Sequence, residues 1–541
     1  MKNKKLIKNI LIYLLIVGAY YYLVLPPINL KSPLFWFTIV LMLALFVMLF
    51  GLSELLDFFK SGNNFEQRKS IFKTYKLIPK IFLAAVVIIG LIFLINLIIS
   101  PFFMSSQYAN RIQVDESGIF EEDVSQVDFS KIALLDKDSS KNLGDRTMGQ
   151  MPELVSQYDV SSVYTQIMFR NQIERVTPLE YDDLIKSFTN RKEGITGYIR
   201  VDSVTGKSTL ERLDKGIKYA YSAPLGRNLD RKLRFSYPFD IFGNFTFEID
   251  DDKNPYWIVP VLKYKGIGKM EDVSHVIIFN PIDGSSEKYA VEDVPSWVDN
   301  VYNPFLVLEQ LDHWGKYRHG FFNATIGQKN VVTTTEGYNY LIQDDGIYLT
   351  TGITSRGRDE SNIGFVLTNL RTKETKLYKV PGAEEYSAMD SARGQVQQMN
   401  YVPTFPILVN LNNKPTYIIS LKDNAGLVKM YAFVDLEDYQ KVSVTEVSKG
   451  IEYGAEVYLK SNPNLSFDDE LHTKEIEIKF FNQTVVDGLT FYYIQDTEGL
   501  KYKVSIKVND VILPFVNIGD KLLVSYKEGF INEIVDVSLV D

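Results

Sequence analysis

The sequence predicts a membrane-anchored α+β protein. Three N-terminal transmembrane helices come first, then repeated helix-plus-antiparallel-hairpin units, then a small C-terminal β-barrel. Three observations predict this. The first hundred residues hold three long apolar runs. The middle of the chain repeats one pattern: an apolar strand, an Asp or Asn, a short polar turn and a charged return strand. Residues 470–541 alternate apolar and polar side chains in short segments.

The anchor, residues 1–100, is read from runs at 6–25, 34–52 and 81–99. Each is close to the ~20 residues a helix needs to cross a bilayer core. The first carries a single charge, Lys8, near its start, and the other two carry none. Tyr20, Tyr21, Tyr22 and Trp36 stand near the ends, where interfacial aromatics belong. The basic start is that of a signal peptide. The apolar stretch is long, however, and Pro26 and Pro27 follow it instead of a small-x-small cleavage site, so the first run is expected to be retained.

Lys and Arg collect on the cytoplasmic side of membrane proteins. Here they gather before the first run (Lys2, Lys4, Lys5, Lys8) and between the second and third (Lys60, Arg68, Lys69, Lys73, Lys76, Lys80). Only Lys31 lies between the first and second. This places the N-terminus in the cytoplasm and everything after the third run outside. The net charge of −9 is an average of unlike parts: residues 1–100 carry eleven Lys/Arg against three Asp/Glu, net +8, which leaves −17 for the remainder.

Residues 101–150 are polar with few sustained apolar patterns and read as a stalk or lead-in. From about Pro152 to residue 445, Tyr, Phe and β-branched residues alternate with polar ones, which is strand chemistry. Self-comparison exposes the repeat. Phe245–Val259, Tyr338–Leu349 and Leu408–Ile419 each read as strand, turn, strand. A second strand pair follows each, beginning at His275, Gly364 and Met430, and an isolated copy starts at Gly197. Helix-like stretches lie between copies. Thr177-Pro178 offers an N-cap with Pro in the first turn of a helix running to Phe188, and 294–311 and 384–399 are similar.

The turns carry a likeness. Asp202-Ser-Val-Thr-Gly206, Asn280-Pro-Ile-Asp-Gly284 and Asn369-Leu-Arg-Thr-Lys-Glu374 resemble the D-x-x-T-G-like turn of PepSY-type domains, a helix followed by a hairpin. The first keeps the full pattern and the third loses the Gly. With Glu360–Leu367, Gly382–Met389 and Gly426–Val434, the chain looks like an uncharacterised bacterial family, mostly Gram-positive, of membrane-anchored proteins with a large outer β-rich domain. That resemblance covers about residues 150–440. It implies location and architecture and brings no catalytic residues.

The tail resembles an OB-like barrel, with Gly519-Asp520 before its fourth strand. Barrels of that type often bind nucleic acid or sugar. Phe491, Tyr492, Tyr493 and Tyr502 can form such a stacking platform, or can be core residues of alternating strands. Acidity and the lack of a strong basic groove weigh against nucleic acid.

No Cys is present, which excludes disulfides, Cys-ligated metals and thiol nucleophiles. Thr205-Gly-Lys-Ser-Thr209 lacks the second Gly of a phosphate loop, since Val201 stands there. Asp250-Asp-Asp-Lys-Asn254 begins like a calcium loop, but Pro255 and Val261 replace the Gly and Glu it needs. His313 and His319 stand with Trp314, Tyr317 and Arg318 in the densest polar–aromatic cluster. A spacing of six puts two His poorly on one helix face, so packing or a partner surface is expected there, not a metal. The candidate partner-surface residues are therefore Trp314, Tyr317, Arg318, Tyr492 and Tyr502. No hydrolase signature appears, and no catalytic residue, cofactor or metal ligand is expected. The functional expectation is a non-enzymatic, extracytoplasmic binding or scaffolding protein of the cell envelope. It would sit in the lipid bilayer and bind an envelope protein, a peptide or a wall polymer. A carboxylate-dependent cell-wall hydrolase is the first alternative, since its two acids need no local motif. An inverted topology with a cytoplasmic, nucleic-acid-binding tail is the second.

Overall fold

The computed structural model describes residues 2–60, 77–343, 346–355, 361–462, 471–486, 489–529 and 531–540. The basic residues expected between 61 and 76 lie outside the described residues. The chain divides into two compact units, one of residues 1–119 and 130–386, the other of 120–129 and 387–541.

The expectation of three spans is corrected. Among the described residues, one helix, α1 (Lys2–Val24), is long and apolar enough to cross a membrane, through its window Ile7–Val24. The apolar part of α2 (Pro33–Lys60) is the shorter Pro33–Leu49. The third run, α3 (Leu77–Ile98), breaks at Ser100–Pro101 into α4 (Pro101–Ala109), with a bend of 54°. Counting that bent pair as one span gives two at most. Pro101 has no N–H to continue the helical ladder, which is why the run ends there. None of the α1 window is buried. Its Ile10, Leu11, Leu14 and Leu15 face outward, as in a helix made for an apolar surrounding and unlike a core helix.

Beyond the helices the chain is mostly β. Four sheets share one topology. In each, a central strand pairs on one edge with two short preceding strands and on the other with the next strand, which turns back into an outer strand. The central strands are Gln172–Tyr181, Pro255–Lys263, Gly346–Ser355 and Lys414–Lys422. Their following partners are Ile195–Asp202, Asp272–Phe279, Ser361–Asn369 and Val428–Asp435. The copy at Gly197 is therefore not isolated but belongs to a complete first sheet. The repeat survives because its turn is chemically specified. Asp202, Asn280 and Asn369 each accept two backbone N–H bonds from the residues two and three ahead. The closing residue is left-handed, at φ +74° for Gly206, +81° for Gly284 and +66° for Lys373.

Strand alternation puts two cores on the second sheet. Trp257, Val259, Ile277 and Phe279 face the first sheet, joining Val176, Tyr198 and Ile199. Ile258, Val276 and Ile278 face the helix Pro304–Tyr317 and the third sheet, joining Leu311, Leu349 and Val366. Sequence and structure part at Thr177-Pro178. These lie inside the strand Gln172–Tyr181, and the helix begins later, at Leu184–Thr189, capped by Asp183 on the Lys186 N–H. Thr177 is fully buried and its hydroxyl donates to the Ser161 carbonyl, so packing overrides the cap signal.

The lead-in is folded. Val114–Gly118 forms a parallel edge strand on Thr375–Tyr378 of the third sheet, and Ile112 is in that sheet's core. In the other unit, Val124 and Val127 hydrogen-bond Asn410 beside the fourth sheet. Residues 471–539 close a five-stranded barrel, in the order Leu471–Val486, Leu489–Asp496, Lys501–Ser505, Asn532–Leu539, Lys521–Lys527. Lys501–Ser505 and Asn532–Leu539 run parallel.

Candidate functional site at the end of helix α1

Where α1 ends, the chain is clamped onto the body. Leu25 is left-handed, and Pro26 and Pro27 are buried. The amphipathic helix Leu229–Ser236, capped by Asn228 on the Arg231 N–H, supplies the clamp. Arg234 donates to the Leu25 carbonyl at 3.0 Å, and Arg231 to the Tyr22 carbonyl at 3.3 Å. The Arg231 guanidinium also lies 4.6 Å from the Tyr22 ring centre, a cation–π distance. Phe235 packs edge-on against Tyr21, with centroids 6.0 Å apart. Beyond the prolines, the Ile28 N–H donates to the Pro238 carbonyl at 2.8 Å, and Asn29 to the Phe239 carbonyl at 2.9 Å. The last turn of α3 is held as well, by two 3.1 Å bonds between Asn96 and the backbone of Ile267.

Between these attachments lies a groove of about 570 Å³. Ile28, Leu30 and Lys31 line one side, and Lys263, His275 and Lys288 come from the second sheet and its surroundings. Lys288 pairs with Asp240 at 2.7 Å, and Lys263 reaches Asp272 at 3.7 Å. Lys31 projects into solvent. The groove thus sets an apolar wall beside the exposed Lys31 and two lysines paired with carboxylates, Asp240 among the lining residues. A smaller hollow of about 290 Å³, between Phe242, Leu262, Phe305 and Glu309, has no comparable cluster of cations.

The residues expected to form a partner surface are placed differently. Trp314 is 8% exposed and Tyr317 7%, both on the inward face of the helix Pro304–Tyr317. Arg318 lies 4.7 Å over the Trp314 ring and pairs with Glu116 at 3.2 Å. Tyr492 and Tyr502 are 3% and 0% exposed and form the barrel core, with Tyr502 donating to Asp496 at 3.2 Å. All four rings are therefore committed to packing. His313 lies inward against Arg111, 2.9 Å away, and burial holds its pKa below the usual histidine value. His319 is exposed, so the pair is not brought together. Asp250 is occupied by the backbone N–H groups of Asp252 and Asn254, at 3.0 and 2.8 Å. Among the described residues no group of three His, Asp or Glu could hold a metal ion.

One acid pair stands out. Glu248 and Asp299 are 0% and 2% exposed. Glu248 accepts from the Asp299 and Asn300 N–H groups and from the side chains of Asn300 and Thr246. Asp299 accepts from the Met168 N–H at 2.6 Å and from Arg371 at 3.3 Å. Burial raises both pKa values, and the neighbouring Glu248 helps push Asp299 up to about 8. These carboxylates knot together residues of three sheets and meet no water, so they are built as a structural joint and not as an acid–base pair facing a substrate.

The clamp could not be read from sequence, because Arg231 and Arg234 acquire meaning only when the helix Leu229–Ser236 meets residues about two hundred positions earlier. No protein-family model matches the chain, and no curated protein matches its sequence.

Proposed function

We propose that this chain is an envelope membrane protein held in the bilayer by α1. Its β-rich body works outside the cytoplasm as a binding or scaffolding surface for an envelope protein, a peptide or a wall polymer. The observation that carries the reading is the pairing of two features of α1. Its apolar side chains face outward with none of the window buried, yet its C-terminal end is hydrogen-bonded into the body through Arg231 and Arg234. The first feature calls for lipid. The second supports a helix retained as part of the folded protein over one cleaved as a signal. Lys2, Lys4, Lys5 and Lys8 at the opposite end favour a cytoplasmic N-terminus. The body attaches at the other end of α1, so it belongs on the far side. Repetition of one sheet topology four times favours a broad surface, as in other repeat proteins.

The absence of native Cys makes the test direct. Val511→Cys places a thiol on an exposed barrel position. A membrane-impermeant maleimide is expected to label it on intact cells, and the chain is expected to stay in the membrane pellet after alkaline carbonate washing. Labelling only after lysis overturns the orientation, and release by carbonate overturns the anchor.

A further inference from the structure

We propose that the face of the body around the end of α1 is itself seated on the membrane, with its aromatic side chains in the lipid interface and its groove over anionic phospholipid headgroups. This rests on the anchor reading and adds a site to it. The carrying observation is a set of exposed large apolar side chains continuous with the apolar helices. Phe235 and Phe239 are 56% and 64% exposed, although Phe235 touches Tyr21 and the Phe239 carbonyl binds Asn29. Arg227, just before the helix Leu229–Ser236, donates to the Arg191 carbonyl. Arg191 follows the helix Leu184–Thr189, whose Leu184 and Ile185 are 65% and 71% exposed.

A second cluster grows from the end of α3. Phe102 at the start of α4 packs on Phe321 and Phe322 at 5.2 and 5.9 Å. Phe322 and the neighbouring Ile326 remain 65% and 79% exposed. Water is a poor surrounding for so many large apolar side chains, and contiguous exposed patches mark interaction sites. Both clusters start at the last turn of an apolar helix, so lipid is the occupant nearest at hand. Charge agrees with this assignment. The chain beyond residue 100 carries net −17 and would be repelled by an anionic surface, yet this face presents Arg227, Arg231 and Lys31, while Lys263 and Lys288 offset Asp272 and Asp240. Aromatic side chains at the interface with Lys and Arg at headgroup level is the arrangement such a surface selects.

The test uses the full chain in phosphatidylcholine vesicles with and without phosphatidylglycerol, carrying one spin-labelled Cys at a time. Depth is read from relaxation by oxygen against a water-soluble nickel chelate. Labels at Phe239→Cys, Ile185→Cys and Ile326→Cys are expected to be shielded from nickel several-fold better than Val511→Cys. Phosphatidylglycerol is expected to deepen them. Leu15→Cys in α1 separates the two readings. If Leu15 reports lipid while positions 185, 239 and 326 stay as nickel-accessible as 511, the seat is overturned and the anchor stands. If Leu15 is itself in water, the anchor falls. Equal depth in both vesicle types overturns the role of anionic headgroups.

Discussion

Lys373 shows how one residue can obey a repeat while breaking its sequence rule. The first two turns close on glycines at φ +74° and +81°, and the third closes on Lys373 at +66°. A side chain there costs roughly 1–2 kcal/mol. Lys373 offsets this by reaching Asp272 at 2.7 Å and the Arg111 carbonyl at 3.1 Å, links a glycine lacks. Lys373→Ala keeps the strain and loses both links, whereas Lys373→Gly loses the links and the strain. Thermal unfolding should rank the alanine variant less stable than the glycine variant by about 1 kcal/mol. The reverse order would mean the turn is not strained. Asp299 supports a second expectation. Its carboxyl is raised by burial and by Glu248 to about 8, whereas an unfolded Asp titrates near ~4. The folded protein therefore holds a proton the unfolded chain has released. This contribution to stability is complete below about pH 4 and is lost as pH rises through about 8. The Tm of the native chain should fall over that range, and Asp299→Asn, which stays neutral, should fall less. Parallel pH profiles would show that Asp299 is ionised throughout.

Helices and strands show what was legible and what was not. The hairpins announced themselves because Asp or Asn at the turn and apolar alternation are local signals, as at Asp202 and Asn280. The helix at Glu385–Gln395 falls within the helix-like stretch 384–399. The stretch at 294–311 pointed to a helix, but its start is at Pro304, after the cap Asn303, because residues 298–302 are drawn into the core by Val298 and Val301. The Thr177-Pro178 signal failed because its residues were needed in a central strand. Of the four barrel aromatics read as platform or core, Tyr492 and Tyr502 are core and Phe491 and Tyr493 stay partly exposed, because alternation alone cannot say which face of a strand points inward. Three apolar runs were plain in the sequence, but the break at Pro101 and the shorter second run leave one helix, or two, with spanning length among the described residues. The clamp on α1 joins residues too far apart in sequence for any local pattern. The Asn303 side chain accepts from the Phe305 N–H at 2.9 Å, and Asn303→Ala should lower stability by about 1 kcal/mol. A loss below about 0.3 kcal/mol in denaturant unfolding would show that the helix is held by its buried face alone.

At the scale of the molecule, most strand pairing is between strands near in sequence, and one long-range exception bears on the order in which the chain can be completed. Val114–Gly118 pairs with Thr375–Tyr378, so the third sheet gains its outer strand from a segment that precedes all four sheets. Closing so long a loop is entropically costly and gives nothing back until the edge strand docks. Close approach makes this docking specific. A Cβ on Gly118 would lie 2.9 Å from the Tyr378 ring and 3.0 Å from the Leu377 carbonyl, so a β-branched side chain forces the strands apart. Gly118→Val should therefore raise amide exchange in Thr375–Tyr378 and in the adjoining Ser361–Asn369. It should leave Lys414–Lys422, which belongs to the other unit, as protected as before. Hydrogen exchange read by mass spectrometry on the full chain separates the cases. Loosening confined to the third sheet means that the lead-in is an edge strand added to a sheet already assembled from local hairpins. Equal loosening of the fourth sheet means instead that the early segment is a shared foundation and that the two units unfold as one.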